Sequence, residues 1–180
     1  MVGTQVTCKR LGFVGRCRVG QIFARRARGF DMEIHYSNRT RLSPELEQGA
    51  VYHASVENLL PQAQFLSIHC PATPETRGLM NAARFALLPR GAIVVNTGRG
   101  AVVDDEALIA ALKSGHIAAA GLDVFNSEPN VHPGYRMLWN TFLLPHIGSA
   151  TRETRNAMGF RALDNMDAIF SGREPRARVA

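Results

Sequence analysis

Lysine is nearly absent from this 180-residue chain. Lys9 and Lys113 are its two lysines, so the formal charge of +6 is carried almost wholly by arginine. A basic balance is one mark of a nucleic-acid partner. Here aromatic residues do not interleave with the arginines. Arg25, Arg26 and Arg28 fall in what reads as the last turn of a helix, where they complement its dipole. An arginine-rich solvated surface is the better reading, and no nucleic-acid partner is expected. Cysteine is also scarce. Cys8, Cys17 and Cys70 form an odd, scattered set without metal-ligand spacing. A disulfide scaffold and a metal site are therefore set aside, and a reduced, cytoplasmic setting is expected. No run of about 18 or more apolar residues occurs, so neither a membrane span nor a membrane partner is expected. Met1 to Arg10 lacks a long apolar stretch and is not read as a secretory signal.

What is present is the composition of a globular chain, 46% hydrophobic and 20% charged, of ordinary single-domain length. Strand-like and helix-like segments alternate throughout, which argues for a parallel sheet covered on both faces. Strands are expected at Leu11–Gly15, Met32–Ser37, Phe65–Cys70, Ala92–Thr97, Ala118–Val124 and Thr141–Leu144. Val19, Ile22, Phe23 and Ala27 recur at helical spacing and predict a buried stripe, ended by Gly29 as a C-terminal cap. Val56–Leu60 and Asn81–Leu88 read as short helices. Asp104 caps another, with Asp105 and Glu106 in its first turn, Lys113 in its last and Gly115 beyond. Thr151–Phe170 closes as a long helix. The expected organisation is a lead-in over residues 1–10, one domain over 11–170 and a polar tail over 171–180. The fold class is α/β, a doubly wound parallel sheet in three layers.

Gly15-Arg16-Cys17-Arg18-Val19-Gly20 lies between a strand and a helix, the position of a dinucleotide fingerprint. Gly15 permits the tight turn, Gly20 allows close packing of helix on strand, and the helix N-terminus would receive a pyrophosphate. The middle glycine is replaced by Cys17, whose side chain stands where backbone normally approaches the phosphates. At a helix N-terminus between two arginines, this thiol is also placed for reactivity. Ser37-Asn38-Arg39-Thr40-Arg41 follows the second strand, with Arg39 19 residues past Gly20. An acidic residue near this distance would bind a ribose 2′-hydroxyl and favour NAD. Arginine with neutral donors instead accommodates the 2′-phosphate of NADP. NADP is therefore the preferred cofactor, with NAD possible.

Three further motifs follow in order: Asn96-Thr97-Gly98-Arg99-Gly100, then Gly121 to Pro129 containing Asp123 and Glu128, then Pro145-His146-Ile147-Gly148-Ser149-Ala150-Thr151. With the broken fingerprint, they make the chain resemble the cofactor-binding domain of the D-isomer-specific 2-hydroxyacid dehydrogenases, nearest to their glyoxylate and hydroxypyruvate reductase branch. The resemblance runs from about Lys9 to Ala180. It implies that Arg99, Glu128 and His146 are catalytic. Arg99 would hold and polarise the substrate, and His146 would supply a proton. Glu128, on the preceding connection, would orient the His and keep it basic. It also implies that Cys70 and Pro71 line the pocket with main chain, that Thr76 lies near the nicotinamide end, and that Asp123 meets the carboxamide. Thr97, Gly98 and Gly148 complete the cofactor-facing set. Gly98 and Gly100 are expected to leave room for substrate and cofactor beside Arg99.

Members of this family also carry a substrate domain, part of it N-terminal. Here Met1 to Arg10 lead almost directly into the first strand, so that domain is expected to be absent from this chain. Two function classes stay open. One is an oxidoreductase reducing a small 2-keto acid with NADPH, most simply as a homodimer. The other is a non-catalytic dinucleotide-binding or dimerisation module, or a decayed fragment.

Overall fold

A computed structural model describes residues 3–176 of the chain. Contacts divide it into two compact units, Met1–Pro145 and His146–Ala180. The first unit contains strands β1 (Arg10–Val14), β2 (Glu33–Ser37), β3 (Val51–Tyr52), β4 (Phe65–Ile68), β5 (Ala92–Asn96), β6 (Ile117–Leu122) and β7 (Thr141–Leu143). Helices α1 (Arg18–Ala27), α2 (Pro44–Glu47), α3 (Val56–Leu59), α4 (Ala82–Leu87), α5 (Asp105–Lys113) and α6 (Pro133–Arg136) stand between them. The strands form one sheet in the order β3-β2-β1-β4-β5-β6-β7. Every pairing is parallel. The order reverses between β1 and β4, which makes their shared carboxyl end the topological switch point of the doubly wound fold.

Two apolar clusters cover the two faces. Successive strand residues point to opposite sides, and β1 shows it. Leu11 and Phe13 pack with Ala24 and Ala27 of α1 and with Ile34 and Tyr36 of β2. Val14 joins Leu59 of α3, Leu66 and Ile68 of β4, Phe85 of α4 and Leu108 of α5. Leu59, Leu60, Leu66 and Ile68 are wholly buried. Each stabilises the fold by at most roughly 1.5–3 kcal/mol relative to exposure. Gly12 faces this second cluster, where a Cβ would come within 2.7 Å of Ala63 Cβ.

Two local expectations are corrected. The buried face of α1 is Gly20, Ala24 and Ala27, whereas Val19, Ile22 and Phe23 are exposed by 60%, 49% and 39%. Small residues let α1 lie close on the sheet, and the larger apolar side chains are left outside. Gly29 does not cap α1. The chain tightens into a 3-10 turn over Arg28–Phe30, and the left-handed residue that ends it is Asp31, at φ 54°. The α5 signals hold: the Asp104 side chain accepts from Ala107 N at 3.1 Å, and Gly115 follows the helix at φ 67°. β3, α2 and α6, each of two to four residues, were not foreseen.

The second unit is dominated by α7 (Arg152–Phe170), capped by Thr151, whose hydroxyl accepts from Thr154 N at 3.1 Å. Among the described residues, no helix is long and apolar enough to cross a membrane.

Candidate active site

The carboxyl ends of β1, β2 and β4 meet at the switch point. Gly15 N donates to Ser37 O at 3.0 Å, and His69 N donates to Val14 O at 2.8 Å. Gly15 turns at φ 84°, and a Cβ there would lie 2.6 Å from Cys70 N, so both the turn and the close approach require glycine. The loop then enters α1 at Cys17, its N-cap, which makes no side-chain cap bond. No acidic residue occupies the first turn of α1. With Arg18 exposed at its start, the helix presents a positive end to the sheet edge. Glycine is not required at position 20, which corrects the expectation: a Cβ there would meet Gly15 O at 3.4 Å and Phe13 at 3.6 Å, both ordinary contacts.

Not every residue in the loop faces outward. Arg16 is 1% exposed, with its guanidinium carbon 5.4 Å from the Tyr36 ring centre. Burial, and then the nearby Arg28, lower its pKa from the usual arginine value. Its backbone N–H donates to Asn38 Oδ1 at 2.6 Å. Asn38 therefore ties the end of β2 to the loop, and Ser37 is buried beside it. Arg39 and Thr40 are exposed. Arg41 already has a partner. Its Nε and Nη2 donate to the Glu47 carboxylate at 2.8 and 3.1 Å. Tyr36 also donates to Glu47 Oε1. The Arg41 and Tyr36 hydrogen bonds hold the Glu47 carboxyl down at about 2.

Further along the same edge, β5 ends at Asn96, whose side chain builds the next turn. Its Oδ1 accepts from Gly98 N at 3.0 Å, and its Nδ2 donates to Arg99 O at 3.1 Å. Arg99 is thereby held by its own backbone while its side chain stays exposed. The flanking glycines do not leave open room, which corrects the expectation. A Cβ on Gly100 would lie 2.0 Å from the carbonyl carbon of Phe125. One on Gly98 would lie 3.1 Å from Ile68 O and 3.3 Å from Cys70 O. The space beside both is filled by the chain's own backbone. Thr97 is exposed. Asp123 N donates to Asn96 O at 3.0 Å, which brings the buried Asp123 to the end of β6 beside the Arg99 turn.

Glu128 Oε1 accepts from Phe125 N at 2.9 Å and so closes the loop after β6. Thr76 accepts from Thr73 N at 2.8 Å and donates to Pro71 O at 2.6 Å, which folds the segment after Cys70 and Pro71 onto itself. Arg99, Asp123 and Glu128 all belong to the first unit. His146 opens the second unit in a left-handed conformation, φ 55°, and is exposed, as is Gly148.

One sheet edge thus holds a glycine-turned loop on a helix N-terminus, a backbone-clamped arginine and a buried aspartate. Residues 1–148 match the family described as D-isomer specific 2-hydroxyacid dehydrogenase, NAD binding domain. The chain belongs to this dehydrogenase family. A glycerate dehydrogenase of Hyphomicrobium methylovorum is 48% identical over 174 residues, covering 96% of this chain and 54% of that protein. A glyoxylate reductase of Thermococcus litoralis is 47% identical, covering 93% and 50%. A solved putative D-isomer specific 2-hydroxyacid dehydrogenase from Polaromonas sp. JS6 66 superposes with a TM-score of 0.96 at 47% identity, over 99% of this chain and 56% of that one. An NADPH-dependent glyoxylate/hydroxypyruvate reductase from Sinorhizobium meliloti, solved with NADP and malonate, gives a TM-score of 0.91 at 38% identity, covering 96% and 53%. The chain spans about half the length of the relatives it matches.

Sequence reasoning missed Asn96 and the Tyr36–Arg41–Glu47 cluster. An Asn at a strand end before Thr-Gly is a turn-building signal and could have been read. The cluster had no such signal, because Glu47 reaches Tyr36 only once α2 folds back beside β2.

Proposed function

We propose that this chain is the cofactor-binding domain, over residues 11–170, of an NADPH-dependent oxidoreductase that reduces a small 2-keto acid such as glyoxylate or hydroxypyruvate. The observation that carries the proposal is the sheet edge itself. It joins the loop of residues 15–20, on a helix without acidic first-turn residues, to Arg99 on the β5 turn. The names of the relatives favour a reductase over a non-catalytic module.

The residues present fit a dinucleotide with one exception. Gly15 allows the tight approach, Gly20 stays in the assigned loop, and the α1 N-terminus with Arg18 and Val19 suits a pyrophosphate. Cys17 is the exception, since its side chain occupies the fingerprint's middle glycine position. Arg39 and Thr40, exposed beside Ser37 and Asn38, suit a 2′-phosphate. Arg41 can join them only by leaving Glu47, so Arg39 carries the preference. Cys70, Pro71, Thr76, Thr97, Gly98, Asp123 and Gly148 are assigned to the rest of the cofactor path. When bound, NADPH supplies the hydride. Arg99 holds the substrate carboxylate and polarises its carbonyl, His146 gives the proton to the carbonyl oxygen, and Glu128 is the carboxylate of the set. The assembly is a homodimer in a reducing cytoplasm. The free cysteines and the exposed Met137, Trp139 and Phe142 flanking the β7 edge support this reading.

Calorimetric titration of the chain with NADPH and NADH tests the proposal. NADPH should bind more tightly. Arg39→Ala should weaken NADPH by about ten- to hundred-fold, the worth of charged hydrogen bonds at roughly 1.5–3 kcal/mol, and leave NADH little changed. Equal affinities, or indifference to Arg39→Ala, would refute the preference.

A further inference from the structure

The three thiols of the chain are free, with Cys8 and Cys17 exposed and Cys70 buried. Cys17 stands at the N-cap of α1, yet its sulfur does not cap the helix. Cys17 Sγ instead donates to the carbonyl of His69 at 3.6 Å, the group joined directly to Cys70. The loop also rests on Cys70 itself. A Cβ on Gly15 would lie 2.6 Å from Cys70 N, 2.7 Å from its Cα and 2.9 Å from its Cβ. Two residues past this contact, the exposed thiol bends back toward the same peptide.

We propose that Cys17 and Cys70 form a reversible disulfide across the end of β1 and β4, with a hydroperoxide as oxidant, and that the bridge closes the loop to NADPH. The closure rests on the dinucleotide reading of that loop. A bridge needs Cα atoms about 4.4–6.8 Å apart. Cys17 Sγ lies 3.6 Å from the carbonyl oxygen of the residue joined to Cys70, so the loop has to bring Cys17 the remaining way into this range for the bridge to close.

The two thiols have different parts. Cys17 is exposed and meets the oxidant. Burial, with a smaller effect of Cys17 itself, pushes the Cys70 thiol up to about 11, so it is protonated in the reduced chain and gives up its proton as it attacks. The Cys17 sulfur attacks one peroxide oxygen, the O–O bond breaks, and a sulfenic acid and one water result. Cys70 sulfur then attacks the sulfenic sulfur. The S–S bond forms, the S–O bond breaks, and the Cys70 proton leaves with the hydroxyl as a second water. Two thiols and one hydrogen peroxide become one disulfide and two waters. A thiol donor reverses the step by exchange. The bridge would run over the turn where a pyrophosphate is expected to lie. A glycine at position 17 could not form it.

The reduced chain is treated with hydrogen peroxide and followed by thiol titration, peptide mapping and NADPH calorimetry. Thiols titrated after denaturation should fall from three to one. Trypsin should release the dipeptide Cys17–Arg18 joined to the segment 42–77, lighter than the sum of the two by two hydrogens. NADPH affinity should be lost and should return with dithiothreitol. Cys8→Ser should leave the bridge forming, and Cys17→Ser should prevent it. Three surviving thiols, or a bridge through Cys8, would overturn the proposal. So would a Cys17–Cys70 bridge that leaves NADPH affinity unchanged. If the reduced chain binds no NADPH, the closure fails together with the functional reading, while the cross-linked peptide still decides whether the thiol pair is real.

Discussion

Gly100 gives the sharpest structural test of the Arg99 turn. A Cβ at this position would lie 2.0 Å from the carbonyl carbon of Phe125, 2.2 Å from its oxygen and 2.4 Å from Asn126 N. All three are backbone atoms, so no rotamer change relieves the collision. Ordinary contact begins at 3.4 Å, and the two segments would have to part by more than an ångström. Neither is free to move. Val103 N donates to Gly100 O at 2.9 Å, and Phe125 N is held by Glu128. Gly100→Ala should therefore fall at or beyond the upper end of overpacking costs, about 3 kcal/mol. At ~2–4 °C per kcal/mol for a chain of this size, the melting temperature should drop by roughly 6–12 °C. Two neighbours calibrate the series. Gly98→Ala meets carbonyl oxygens at 3.1 and 3.3 Å and needs only a small adjustment, costing about 1 kcal/mol. Gly121→Ala has its nearest neighbour at 3.8 Å, Val95 Cγ2, and should stay within about 0.5 kcal/mol of the parent. Thermal melts followed by far-ultraviolet circular dichroism suit the test, because Trp139 is 84% exposed and a poor reporter of unfolding. A Gly100→Ala variant melting with Gly121→Ala would refute the reasoning and restore the view that Gly100 leaves room for a ligand.

Cys17→Gly should tighten NADPH binding by about 1–2 kcal/mol, if the thiol's steric cost resembles other overpacking costs; unchanged affinity by calorimetry would place the pyrophosphate away from this loop. Stability should fall steadily with acid, and urea melts from pH 8 to pH 3 measure it. Burial and the neighbouring His35 lower the His53 pKa, so the unfolded chain takes a proton that the folded chain resists, and stability declines below about 6.5. Glu47, lowered from 4.5 to about 2, adds a second loss as pH falls through that window. Glu47→Gln should reduce the second loss, which Glu45, Glu57 and Glu75 also feed through their own lowered pKa values, and leave the first unchanged. When the chain is joined to a complete substrate domain, Arg99→Ala and His146→Ala should each cost at least about a hundred-fold in kcat/KM for glyoxylate reduction. Glu128→Gln should change the pH profile of that reaction, and an unaltered profile would remove it from the acid–base set.

The alternation of apolar strands with helical segments was enough to specify a parallel α/β sheet, because each strand buried on both faces must read as an apolar run. The order of motifs was enough to specify which strand ends carry Gly15, Arg99 and Asp123, since parallel strands send every carboxyl end to one edge. Local chemistry was likewise legible at Asp104, where a short side chain meets helix N–H groups close in sequence. Tertiary structure alone decided which side of α1 is buried. Of the stripe Val19, Ile22, Phe23 and Ala27, Ala27 alone is buried, joined by Gly20 and Ala24, because closeness to the sheet, not hydrophobicity, selects the face. It alone showed that Asn38 serves the loop and that Arg41 is held by Glu47. It alone showed that the space beside Gly100 belongs to Phe125. These contacts depend on how loops and short helices fold back in space, over 22 residues for Asn38 with Arg16 and over only six for Arg41 with Glu47, and no periodicity or spacing in a linear sequence reports them.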